Sequence, residues 1–202
     1  VVWRYDPILL NDKYTLRYHM KYFHVLCDRL ADYTEKCTIS FLDIYKNIQR
    51  RITPLGIHPL SPEQMKALTG CFSKIAKEHG LYIDTCAENI DLSEYGVQHG
   101  SCIDRHRLER IGNYKLDIER DKNQRAACGC IASIDLGAYN TCKNGCVYCY
   151  ANFNQTLVGR CCGRHDPSFP LLYGEVSAND MIQPRKMKSF RDGRVNLFRQ
   201  GD

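Results

Sequence analysis

Strand-like and helix-like segments alternate through the first 86 residues, and this alternation constrains the fold more than any other feature of the chain. Residues 1–6 form a β-rich run stopped by Pro7. Leu16, Met20, Phe23, Cys27 and Leu30 then recur at spacings of four, three, four and three, the apolar stripe of an amphipathic helix. Residues 37–41 read as the next strand. Ser61-Pro62-Glu63-Gln64 combines an N-cap serine, a proline at the first helical position and a glutamine three residues past the cap, which together satisfy the free amides of a helix start. Met65, Leu68, Phe72 and Ile75 give that helix its stripe, and Gly80 ends it. Residues 81–86 are a third strand.

Strands joined by helices imply parallel pairing with helical crossovers. Side chains alternate faces along a strand, so Trp3, Tyr5, Ile39, Phe41 and Ile83 share the helix-facing side. The opposite parity collects Arg4, Asp6, Thr38, Ser40, Asp84, Cys86 and Glu88. Polar residues gathered toward the C-terminal ends of strands suit a barrel with its active site at that end. The expected class is therefore α/β, a partial (β/α) barrel of TIM type whose other strands belong to an N-terminal portion preceding Val1. Residues 1–91 would be the C-terminal part of that barrel, residues 92–152 a loop-rich, cysteine-rich metal-binding segment over its mouth, and residues 153–202 an extended basic tail. Asp104 caps one short helix in the middle segment. Arg4, Asp6, Ser40 and Glu88 are the candidate catalytic residues. An arginine inside a barrel needs a carboxylate, and Asp6 or Glu88 is the expected partner. Asp43 and Asp135 are further carboxylates near strand ends or the cysteine loop, each more simply read as a loop acid.

The 202 residues are 44% hydrophobic and 25% charged, an ordinary globular composition with no apolar run long enough to span a bilayer, so a cytoplasmic protein is expected. Net charge is +5. Arg185, Lys186, Lys188, Arg191, Arg194 and Arg199 concentrate the basic excess near the end of the chain; nucleic-acid contact is the weaker reading of such a tail and a solvated tail the stronger. The seven histidines form no H-x-x-H or H-E-x-x-H spacing, so a histidine-built zinc hydrolase is not supported.

Twelve cysteines carry the chemical information. Cys142, Cys146 and Cys149 stand in C-x3-C-x2-C spacing with Tyr148 just before the last. Three thiolates on one tight loop suit a [4Fe-4S] cube in which a fourth iron keeps no protein ligand. A zinc knuckle closed by a fourth ligand is the alternative, and a disulfide scaffold the weakest. Cys128-Gly129-Cys130 lies upstream, with Cys86 at a strand end and Cys102 beyond it. These four could form a second metal site, redox thiols or core filler. Cys27, Cys37 and Cys71 occupy helix or strand positions and read as packing residues, while Cys161-Cys162 has no evident role.

The segments Val2-Trp3-Arg4-Tyr5-Asp6-Pro7, Ile39-Ser40-Phe41-Leu42-Asp43, Thr85-Cys86-Ala87-Glu88, Cys102-Ile103-Asp104 and Lys122-Asn123-Gln124-Arg125, followed by Cys128-Gly129-Cys130 and the triad, together resemble a bacterial family of uncharacterised barrel proteins with a cysteine-rich C-terminal tail. Gly145-Cys146-Val147-Tyr148-Cys149-Tyr150-Ala151 is more locally similar to radical S-adenosylmethionine enzymes related to spore photoproduct lyase. That resemblance implies Cys142, Cys146 and Cys149 as cluster ligands, S-adenosylmethionine on the open iron near Tyr148 and Asn152, and a reductant such as a flavodoxin or ferredoxin. In those enzymes the loop follows the first strand, whereas here it follows the last recognisable one.

Overall fold

Four parallel strands in the order β1-β2-β3-β4 form the centre of the protein: β1 Trp3–Ile8, β2 Lys36–Phe41, β3 Tyr82–Cys86 and β4 Gln98–Gly100. The computed structural model describes residues 1–46 and 48–193. Among the described residues five α-helices accompany the sheet: α1 Leu16–Leu30, α2 Gln49–Ile52, α3 Pro62–Glu78, α4 Arg105–Gly112 and α5 Gln155–Gly163. The short β4 and α5 lie where the sequence pattern predicts loop and extended tail. Pro7 does not stop β1, which runs on to Ile8 on the sheet edge with a register shift between Tyr5 and Ile8.

The predicted caps form. Ser61 and Gln64 make a reciprocal capping box at the start of α3, Thr15 caps α1, and Asp104 accepts the amides of His106 and Arg107 at the start of α4. Helices α1 and α3 pack side by side on one face of the sheet. Phe23 of α1 and Phe72 of α3 stack there with ring centroids 4.0 Å apart, and Trp3 stacks on Phe23 at 4.9 Å. Cys27, Cys37, Ile39 and Ile83 complete this core, and Cys71 packs against it. Each fully buried large apolar side chain contributes ~1.5–3 kcal/mol relative to exposure. Polar groups within this layer are paired. His19 donates from Nε2 to the Leu9 carbonyl (2.7 Å), which leaves Nδ1 to accept from the Tyr5 hydroxyl (2.8 Å).

The partial-barrel expectation is corrected. Among the described residues the sheet is open, with β1 pairing only β2 and β4 pairing only β3, so the architecture is a small α/β parallel sheet and no TIM barrel is evident. Side-chain parity reports which face is polar. It does not report closure, because open sheets and barrels use the same strand-helix-strand unit.

Candidate functional site

The sheet face away from α1 and α3 is dry at its base and open at its top. Lys36, Thr38 and Asp84 are buried there, with the Asp84 carboxylate taking both the Lys36 ammonium and the Thr38 hydroxyl. Arg4, in register with Thr38 and Asp84, is exposed and reaches up to the next layer, where Asp6 is exposed and Ser40 half-buried. Asp6 Oδ2 accepts from Arg4 Nη2 (2.5 Å) and Nε (3.1 Å), and Asp6 Oδ1 accepts the Ser40 hydroxyl from the neighbouring strand. Of the two partners expected for Arg4, Asp6 is the one found. Burial disfavours the Arg4 charge, but Asp6 together with Cys86 and Cys102 more than offsets it and holds the guanidinium above its ordinary value.

Arg4 also donates from Nη1 to Cys102 Sγ (2.8 Å), and Cys102 Sγ lies 3.1 Å from Cys86 Sγ. The two thiols share a proton unequally. Hydrogen bonding from Cys102, aided by Arg4 and opposed by burial, pulls Cys86 down; the same bond together with burial pushes Cys102 up.

Beyond the carboxyl ends of β2 and β3, a cavity of about 350 Å³ is lined by Asp43, Tyr45, Glu88, Asn89 and Arg125 among others. Crevices at this end of parallel strands are where open α/β sheets bind ligands. An Asp43–Arg125 ion pair belongs to its wall. Glu88 Oε1 accepts the Phe41 amide (2.8 Å), yet burial outweighs that bond and pushes the carboxyl up to about 7, where it can both give and take a proton near neutrality.

The cysteine loop is anchored at this cavity. Tyr148 donates its hydroxyl to the Asp43 carbonyl (3.0 Å), and burial pushes that phenol up to about 12. Arg51 on α2 donates to the carbonyls of Cys149 (2.5 Å) and Asn152 (3.3 Å). The loop closes on itself at its neck. Asn140, in the left-handed region at φ 58°, gives its amide to the Ala151 carbonyl and takes the amides of Phe153 and Asn154 on Oδ1. Buried Asn152 donates to the Cys142 carbonyl (2.5 Å). Gly145, at φ 65°, turns the chain before Cys146, whose carbonyl accepts the Cys149 amide at 3.1 Å. These bonds employ backbone and the side chains of Arg51, Tyr148, Asn140 and Asn152, leaving the sulfurs unspent. Cys142 and Cys146 are exposed, Cys149 is half-buried, and all three are free thiols. Three thiols are thus available on one loop, although the groups of described residues whose donor atoms lie within 4.8 Å of one another do not include them.

A family model described as Domain of unknown function (DUF1848) matches residues 1–151, which include all four strands, the cavity-lining residues and the whole triad. The chain belongs to the DUF1848 family. No curated protein and no solved structure matches it. In this DUF1848 chain the matched span ends one residue past Tyr150, so α5 and the basic tail lie outside it.

Other predicted site residues fall as follows. Cys128 and Cys130 are buried beside residues 101–103, where the Ile103 amide donates to Cys130 Sγ (3.3 Å). Asp135 accepts the Gly137 amide in an exposed turn. Cys161 and Cys162 lie on α5, and Cys162 Sγ donates to the Thr141 carbonyl (3.3 Å). In the tail, Arg191 sits over the Tyr114 ring at 4.3 Å, while Arg194 and Arg199 lie outside the described residues. Among the described residues no helix is long and apolar enough to cross a membrane.

Sequence reasoning missed Arg51 and Arg125, whose partners are more than 80 residues distant in the chain. It also missed a surface group of His24, Asp28 and His79, whose donor atoms lie within 4.8 Å of one another. The His24/Asp28 spacing of four on α1 was a visible signal for half of that group.

Proposed function

We propose that this DUF1848 chain is an iron-sulfur protein of the radical S-adenosylmethionine-like kind, with a [4Fe-4S] cluster on Cys142, Cys146 and Cys149 at the rim of the Glu88 cavity. The observation that carries the reading is the Tyr148–Asp43 hydrogen bond. It ties the residue between two of the thiols to a residue that lines the cavity. A cluster with an open iron supplies one-electron cleavage of S-adenosylmethionine when both are bound. The chain's own residues then have separable tasks. Arg51 and Asn152 hold the loop backbone, Glu88 gives or takes a proton at Oε2, and Arg125 and Arg4 offer cationic groups to an anionic part of a substrate. Asp6 and Ser40 orient Arg4. A flavodoxin or ferredoxin class reductant would deliver the electron.

The test is anaerobic purification with iron and sulfide quantified and electron paramagnetic resonance recorded on the reduced protein, with and without S-adenosylmethionine. About four irons per chain and a spectrum altered by the cofactor are expected. Zinc without sulfide on the triad would remove the proposal.

A further inference from the structure

Helices α1 and α3 bring two histidines and an aspartate together at the surface, at the end of the sheet away from the Glu88 cavity. On α1, Phe23 and Cys27 face the core, so His24 and Asp28, each one residue further on, share the flank of that stripe one turn apart. On α3, His79 follows the buried Phe72 by two turns of helix and caps it, before Gly80 turns the chain at φ 68°. The stacked Phe23 and Phe72 rings hold the two helices side by side, which sets His79 against the His24 and Asp28 flank. From these helix ends the chain passes into β2 and β3, so the group lies at the amino ends of the strands.

Three ligand atoms converge there. Asp28 Oδ1 lies 3.7 Å from His24 Nε2 and 3.4 Å from His79 Nε2, and all three atoms fall within 4.8 Å of one another. Both separations are longer than ordinary N–H···O hydrogen bonds of about 2.7–3.2 Å. They approach the edge of about 3.3 Å expected between donors placed tetrahedrally at about 2.0–2.1 Å from a zinc ion. The imidazole rings meet edge to face, with centroids 5.9 Å apart and planes at 74°, so their nitrogens can address one point as parallel stacked rings could not. The His24 and Asp28 side chains are 54% exposed and that of His79 is 23% exposed, which leaves an entry path from solvent. The group also stands at the carbonyl ends of both helices, where the helix dipole favours a cation.

We infer that His24, Asp28 and His79 form a binding site for a single divalent ion of the zinc class, held by two imidazole nitrogens and one carboxylate oxygen, with water in the remaining position. Imidazole ligands select first-row transition ions over magnesium and calcium, which take shells of oxygen. Two of the ligands come from α1 and one from α3, so the ion cross-links the pair of helices that covers the apolar face of the sheet. The ligand set exists only while those helices are packed, and occupancy therefore stabilises the fold. The site is separate from the Cys142, Cys146 and Cys149 loop, which is anchored beyond the opposite ends of the strands.

The experiment uses the full chain near neutral pH with Zn2+ as the probe. Zinc also reaches thiols, so the readout is resolved by residue: carbethoxylation of histidines by diethylpyrocarbonate, mapped by mass spectrometry as Zn2+ is raised. His24 and His79 should lose their reactivity together over one range of zinc concentration, while the exposed His58 and His106 stay reactive. Asp28→Asn should raise the zinc concentration for half-protection about tenfold or more. His79→Gln should leave His24 reactive at concentrations that protect it in the parent. These side chains lie at the surface, so both variants should keep the parent's urea midpoint without metal, and the rise in midpoint on adding Zn2+ should be smaller in each. Should a variant not fold, joint protection of His24 and His79 in the unaltered chain decides the matter. Protection of neither histidine, of one without the other, of all exposed histidines alike, or undiminished protection in Asp28→Asn would each overturn the assignment.

Discussion

Lys36 on β2 and Asp84 on β3 form an ion pair whose side chains are 2% and 9% exposed. Thr38 completes the carboxylate's coordination with a hydroxyl donor at 2.6 Å. The pair lies at the base of the polar face, with Asp84 level with Arg4 in the strand register and Asp6 and Ser40 above.

Removing one partner strands the other in a dry setting, so Asp84→Ala should destabilise the fold by about 3–5 kcal/mol. Replacing both, as Lys36→Met with Asp84→Leu, should recover most of that loss because two apolar groups require no compensation. Urea unfolding monitored through Trp3 fluorescence gives both values. Equal losses in the single and double variants would mean that the pair contributes packing rather than charge compensation.

Gly100 abuts the same carboxylate. A Cβ there would overlap the Asp84 carboxylate and approach its Cβ to 2.9 Å. Asp84 cannot swing away without leaving Lys36. Gly100→Ala should therefore cost about 1–3 kcal/mol. Gly159, inside α5 with open space within 4 Å of where an added methyl would sit, is the control: Gly159→Ala should stabilise by about 0.5–1 kcal/mol through helix propensity. The same urea series compares the two. A neutral Gly100→Ala would show that the Asp84 contact yields easily.

How much of this was legible in the sequence follows from the range over which each interaction acts. The stripe from Leu16 to Leu30, the Ser61–Gln64 box and the Asp104 cap are local, and each forms where expected. Strand parity separated Trp3, Ile39 and Ile83 from Arg4, Ser40 and Asp84 correctly, because period-two alternation is also local. Closure of the sheet was not legible, since it depends on pairing between distant strands. The three-residue β4 has too little length for an alternation to register. Helix α5 hides behind the Gly, Asn and Cys content of its surroundings, although Asn154 caps it through the Leu157 amide. Arg51 and Arg125 resemble any surface arginine until the chain brings Cys149 and Asp43 to them.

The Arg51 contacts predict how the cysteine loop behaves when its anchor is lost. Both guanidinium donors end on loop carbonyls, so Arg51→Ala leaves the sulfurs intact but frees the backbone that positions them. Loss of metal from the triad should accelerate about tenfold on dilution into chelator, with little change in the urea midpoint. Limited proteolysis should show new cleavage within residues 140–152. An unchanged rate of metal loss would show that Tyr148 and Asn152 suffice to hold the loop.

Glu109 provides a pH dependence away from the cysteines. Its buried carboxylate accepts the Leu116 amide (2.9 Å), Arg105 Nε (3.0 Å) and Lys115 Nζ (3.0 Å), and these donors hold it well below the ordinary 4.5, at about 2. A carboxyl depressed by folding binds protons more weakly in the native state than in the unfolded chain. Its stabilisation is complete above the unfolded value and lost as pH falls from 4.5 toward 2. Glu109→Gln should accordingly lower the urea midpoint at pH 7, and the gap between variant and parent should narrow steadily below pH 4.5 as the parent loses its advantage. The Arg105→Gln variant should narrow the same gap from the other side by removing one donor. A midpoint difference that stays constant from pH 7 to pH 2 would mean that Glu109 acts through shape and neutral hydrogen bonds, and the α4 terminus would then owe nothing to its charge.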